Sequence, residues 1–137
     1  GIAEQLDAIF CPLDQLLAQA DFVSLHCPAT PETRHLIDAQ ALALMPERAF
    51  LINTARGDIV DEAALARALH HGVIAGAGLD VFESEPALHP ALVDAPGLVM
   101  YPHRGSGTRE TREAMGLCAL ANIQAYAAGL ALPNEVG

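Results

Sequence analysis

The stretch "AFLINTARGDIVDEAALARALHHG" (residues 49–72) decides the fold. Residues 49–55 begin as an unbroken apolar run and read as a buried strand. The run gives way to Asn53, Thr54, Ala55, Arg56, Gly57 and Asp58. Residues 61–72 then read as a helix: Asp61 caps it, Leu65, Ala68 and Leu69 share one face, and Gly72 closes it. A strand, a loop and an amphipathic helix in that order make the repeating unit of an α/β sheet. Arg56 lies in the loop, alone, directly before a glycine.

The alternation continues in both directions. Upstream, residues 6–11 (LDAIFC) and 21–28 (DFVSLHCP) read as strands. Residues 12–20 form a helix opened by Pro12, and residues 38–45 a helix capped by Asp38 and stopped before Pro46. Residues 30–37 are a turn or short helix. Downstream, residues 76–82 and 98–103 are strands. A last helix from about Thr108 to Ala128 puts Met115, Ala119, Ile123 and Tyr126 on one stripe, with Gly129 as its stop. The one loose segment is "ESEPALHPALVDAPG" (83–97), rich in proline and acid. Continuous apolar strands alternating with helices predict a parallel sheet covered on both faces. Ligands of such sheets bind beyond the carboxyl ends of the strands. The positions to inspect are therefore His26 to Pro28, Thr54 to Gly57, Asp80 to Glu85, and His103 to Ser106.

Composition narrows the chemistry. The 137 residues suffice for one domain with a core. The formal charge is −10 with no cluster of lysine or arginine, which argues against a nucleic-acid partner. No apolar run approaches the ~18 residues of a membrane span, and no secretory leader is expected. Cys11, Cys27 and Cys118 are scattered and odd in number, which argues against a disulfide framework and suits a reducing cytoplasm. Neither CxxC nor HExxH occurs, so no metal site is expected.

Three strand ends carry an arginine, a glutamate and a histidine: Arg56, Glu85 and His103. Arginine holds a carboxylate through two parallel hydrogen bonds. Histidine gives or takes a proton near neutral pH. A carboxylate beside a histidine orients the ring and favours its charged form. Together the three suit reduction of a 2-oxo acid, with the hydride drawn from a cofactor. Each has a plainer reading as well, as a surface arginine, a structural histidine and a solvated loop glutamate. His70 and His71 end a helix, where a cation suits the dipole, and are read as structural. No partner is assigned to His26, His35 or His89.

The segments "HCPATPETRHLID", "FLINTARGDIVDEAAL", "GAGLDVFESEP" and "YPHRGSGTRETREAM" resemble the NAD(P)-dependent D-2-hydroxyacid dehydrogenase family. The terminal "LALANIQAYAAGLALPNEV" resembles its glyoxylate and hydroxypyruvate reductase branch. The resemblance implies the second half of a doubly wound, Rossmann-like dinucleotide-binding domain, NAD or NADP as cofactor, and a small 2-oxo or 2-hydroxy acid as substrate. It makes Arg56 the substrate-binding arginine, His103 the catalytic histidine, Glu85 its carboxylate partner and Asp80 the cofactor-side aspartate. Thr54, Ala55, Gly105 and Ser106 fall where the family lines the nicotinamide. Cys27, Pro28 and Thr33 fall in its loop near the ribose and phosphates. A homodimer located in the cytoplasm is expected.

The departures carry expectations too. The Gly-rich GxGxxG fingerprint is absent, because "GAGLDV" begins a strand instead of following one. The residue that sorts NAD from NADP and the substrate domain are also outside this sequence, so the 137 residues alone are expected to be inactive. Arg104 stands where the family usually has a small or apolar residue; it would oppose the charge of a protonated His103, contact an anionic substrate, or simply face solvent. "PERAF" replaces a Lys-Pro-Gly style turn. The alternative function is a non-catalytic nucleotide-sensing or protein-interaction module on the same fold, as in the C-terminal binding protein corepressors, or an inactive truncated product.

Overall fold

A computed structural model describes residues 5–136. Four strands, β1 (Phe22–Leu25), β2 (Phe50–Asn53), β3 (Gly76–Leu79) and β4 (Leu98–Met100), pair in parallel in the order β1-β2-β3-β4. The register runs Val23, Leu51, Ala77 and Leu98 across the sheet, then Ser24, Ile52, Gly78 and Val99. Between the strands lie α2 (Ala39–Leu44) and α3 (Glu62–His70), with α1 (Leu13–Gln19) before β1. Each helix begins where the sequence predicts. The Asp38 carboxylate accepts the amides of Gln40 and Ala41, and Asp61 accepts that of Ala64. Gly72 ends α3 at φ 66°, a conformation glycine adopts without strain.

Strand order explains the burial. Right-handed crossovers between parallel strands laid down in sequence all place their helices on the same side. Val23, Leu25, Leu51, Ala77 and Leu79 are accordingly buried, in one core with Leu17, Ile37, Leu42, Leu65 and Leu69. The opposite face is open: Phe22 and Val99 are exposed, and Phe22 stacks on Phe50 at 5.5 Å between ring centroids. Among the described residues of the first unit, the sheet is thus covered on one face, not on both. A continuous apolar strand calls for cover on each side but does not reveal which segment provides it.

Residues 6–11 form no strand. Leu6, Ile9 and Phe10 are exposed and outside the sheet. A short apolar run reads as a strand whether or not a neighbour lies within pairing distance, and β1 is the sheet's edge on that side. Residues 30–37 form turns, and the 83–97 segment contains a 3-10 turn at Pro90–Leu92 with Leu92 buried.

The described residues divide into two compact units, one ending at His103 and the other beginning at Arg104. In the second unit, Thr108 caps α4 (Arg109–Ala127), and Gly129 stops it at φ 66°. Asn122 and Asn134 exchange hydrogen bonds at 3.1 and 3.2 Å, which folds the tail back on the helix. No residue of α4 is buried, so its stripe of Met115, Ile123 and Tyr126 is exposed. Among the described residues, no helix is long and apolar enough to cross a membrane.

Candidate active site

The loops beyond the carboxyl ends of β1, β2 and β3 meet at the top of the sheet. After β2, the buried side chain of Asn53 folds the turn on itself. Its amide donates to the Arg56 carbonyl at 2.8 Å, and its oxygen accepts the Ala55 amide at 3.1 Å. This leaves Thr54 and Arg56 exposed at the strand end. The Arg56 guanidinium donates to the Ala55 carbonyl at 2.6 Å. Gly57 is buried against the chain that follows β3: a Cβ there would stand 2.0 Å from the Phe82 carbonyl carbon and 2.3 Å from the Glu83 nitrogen. The glycine after Arg56 is therefore required by contact. It lets the arginine loop lie directly on the loop that carries Glu85.

After β1, Thr33 closes the 28–33 loop by donating to the Pro28 carbonyl at 2.7 Å, and its hydroxyl accepts the Thr30 amide at 2.8 Å. Cys27, Pro28, Ala55 and Arg56 line one cavity of 550 Å³ together with His26 and Ala29. Three residues expected on the cofactor side, Cys27, Pro28 and Ala55, thus gather with Arg56 at one place, with Thr33 shaping the loop.

Glu85 and His103 form the second group. His103 Nδ1 lies 2.7 Å from Glu85 Oε2, while Glu85 Oε1 accepts the Phe82 amide at 2.9 Å. These hydrogen bonds, the one with His103 first, hold the Glu85 carboxyl below the usual glutamate range. His103 occupies the left-handed region at φ 50°, in a tight turn where its amide donates to the Tyr101 carbonyl at 3.0 Å. A non-glycine residue there carries a backbone cost on the order of 1–2 kcal/mol. The pair borders a cavity of 360 Å³ whose apolar walls include Phe82, Leu88, Met100 and Tyr101. Asp80 follows β3, its amide bound to the Asn53 carbonyl at 3.0 Å. Gly105 and Ser106 belong to the second unit, on an exposed turn before α4.

Several residues without an assigned role shape this region. Asn53 is one; a polar residue ending a buried apolar run was its signal. Glu62 is another, 3% exposed, and its spacing to Leu65, Ala66 and Leu69 places it on the apolar face of α3. Arg34 and His35 reach Glu83 at 2.7 and 2.9 Å, and the His35 amide donates to the Asp58 carbonyl at 2.8 Å. Nothing in the sequence pairs residues so far apart. His70 and His71 bond the carbonyls of Ala66 and Arg67 in the last turn of α3, as a structural role requires.

A parallel sheet whose loops gather such side chains at its carboxyl edge is the architecture of a dinucleotide-binding domain. The family profile described as "D-isomer specific 2-hydroxyacid dehydrogenase, NAD binding domain" matches residues 2–105, and the chain belongs to that family. It is 47% identical over 133 residues to a glyoxylate reductase of Thermococcus litoralis, covering 97% of this chain and 40% of the relative. It is 48% identical to glyoxylate/hydroxypyruvate reductase B of Pectobacterium carotovorum, covering 97% of this chain and 42% of the relative. Among solved structures, the NADPH-dependent glyoxylate/hydroxypyruvate reductase of Sinorhizobium meliloti, in complex with NADP and malonate, superimposes with a TM-score of 0.86. That match is 37% identical and covers 91% of this chain and 39% of the other. The chain spans about two fifths of the length of the curated relatives it matches.

Proposed function

We propose that the protein containing this chain reduces a small 2-oxo acid, of the glyoxylate or hydroxypyruvate type, to the D-2-hydroxy acid with NADH or NADPH. The observation that carries this reading is the Glu85–His103 hydrogen bond of 2.7 Å at the strand end, beside the loop that Arg56 shares with the cofactor-side residues. In this reading residues 1–137 are the C-terminal part of the NAD(P)-binding domain. The 550 Å³ cavity is where the cofactor would lie, with Ala55 on its nicotinamide side and Cys27 and Pro28 toward its ribose and phosphates. When bound, the nicotinamide supplies the hydride. Arg56 holds the substrate carboxylate and fixes which face of the carbonyl is presented. Glu85 engages Nδ1 of His103, and the ring's other nitrogen delivers the proton to the carbonyl oxygen. Thr33, Thr54 and Asp80 complete the cofactor side within the first unit.

Assay of the full-length enzyme for NADH or NADPH oxidation by glyoxylate tests the reading, together with Glu85→Gln. The lowered carboxyl of Glu85 adds stability that is present above its ordinary value of 4.5 and lost as pH falls through the lowered one. Glu85 is therefore ionised at neutral pH. Glutamine keeps the shape and removes the charge that favours the imidazolium, so the alkaline limb of the reduction rate moves to lower pH. An unchanged pH–rate profile would reduce Glu85 to a loop residue.

We further propose a cytoplasmic homodimer. The three cysteines are free thiols, which suits a reducing compartment. The edge of β1, unpaired among the described residues, and the exposed Phe22 offer an apolar strand for a second copy. Light scattering on the 137-residue chain is expected to give twice its 14.4 kDa or more; a monomer would remove the edge from consideration.

A further inference from the structure

The carboxylate of Glu62 has no part in the chemistry above, yet it is almost completely buried at 3% exposure. Burial pushes it above the usual glutamate range, against the opposing hydrogen bond from the Glu83 backbone. A buried carboxylate is costly unless it meets a donor, and this one does. Glu62 Oε1 accepts the Glu83 amide at 2.7 Å. One residue earlier, the Phe82 amide goes to Glu85 Oε1 at 2.9 Å. Two successive amides are thus held by two carboxylates, one fixed in the first turn of α3 and the other the partner of His103. The Glu83 side chain is tied independently to Arg34 and His35, so its backbone cannot rotate to seek another acceptor without breaking those bonds.

From this arrangement we infer that Glu62 is a positioning residue for the Glu85–His103 pair. It fixes the backbone at Phe82–Glu83, and through it the carboxylate that orients the His103 ring. It touches neither substrate nor cofactor. The inference rests on the reaction proposed above.

The test is a mutant cycle in the full-length enzyme: Glu62→Ala, Glu62→Gln, Glu85→Ala and the Glu62→Ala/Glu85→Ala double variant. Folding is checked by circular dichroism, and activity by NAD(P)H oxidation with glyoxylate. Glu62→Ala leaves the Glu83 amide without its acceptor and is expected to lower kcat about 10- to 100-fold, with KM near wild type. Glu62→Gln keeps an oxygen for that amide and recovers most of the loss. In the Glu85→Ala background, Glu62→Ala costs nothing more, because its route to His103 is already gone. A wild-type kcat in Glu62→Ala, or the same loss in both backgrounds, overturns the inference. If Glu62→Ala does not fold, Glu62→Met takes its place in the cycle, filling the volume without an acceptor. If neither folds, the role is one of stability and the inference is likewise overturned. A wild-type kcat in Glu85→Ala would instead remove the proposed reaction, and the inference with it.

Discussion

Arg56→Lys in the full-length enzyme is expected to fold like the wild type and to lose about 30-fold or more in kcat/KM for the 2-oxo acid. The fold survives because the turn is held through the backbone: Asn53 bonds the Arg56 carbonyl and the Ala55 amide, and neither contact involves the arginine side chain. Activity suffers because lysine offers a point charge where a planar fork can grip both oxygens of a carboxylate. Losing a charge-assisted pair in a desolvated site costs on the order of 2–5 kcal/mol, and each 1.4 kcal/mol is about tenfold in rate. Steady-state kinetics alongside a thermal melt separate the two effects. A variant with near wild-type kcat/KM would take substrate binding away from Arg56.

Gly57→Ala should damage both stability and activity. The added methyl would lie 2.0 Å from the Phe82 carbonyl carbon, 2.2 Å from its oxygen and 2.3 Å from the Glu83 nitrogen. These are backbone atoms that cannot rotate aside, so the two loops must separate. Forcing extra volume into a packed site costs typically ~1–3 kcal/mol and sometimes more, and the upper end is expected here. The Glu83 amide is also the one bonded to Glu62, so separation strains that contact too. For a small domain this corresponds to a fall in Tm of roughly 10 °C or more. A Tm indistinguishable from wild type would mean that the loops part at little cost.

The strands and helices around Arg56 were legible because each carries its own punctuation. Asp38, Asp61 and Thr108 cap the helices they precede, and Gly72 and Gly129 adopt the positive φ of helix stops. What could not be read was adjacency. The apolar stretch 6–11 has the composition of a strand, but Ile9 and Phe10 lie exposed outside the sheet. Cover on both faces was expected from strand composition, and only strand order reveals that the crossovers share one side. In the site, Glu85 and His103 could be named from their places at strand ends, and their 2.7 Å contact follows from the fold. The partnership of His35 with Glu83, 48 residues apart, has no local signature. The register of Glu62 with the apolar face of α3 was visible but ambiguous, since a charged residue near a helix N-terminus is ordinarily explained by the dipole.

The order β1-β2-β3-β4 bears on how the chain is made as well as on what it covers. Each strand after β1 pairs with the one synthesised just before it, and no register pair is more distant in sequence than Phe22 and Phe50. A ribosome adding about 5–20 residues per second delivers each new strand within seconds of its neighbour. The sheet can therefore be extended at one margin as translation proceeds, each βαβ increment docking on a template already in place. From β2 onward, each strand finds its neighbour already in place when it emerges. The Arg56 loop is laid down before the Glu85 loop that packs on it, and His103 arrives last, when its carboxylate partner is already in position.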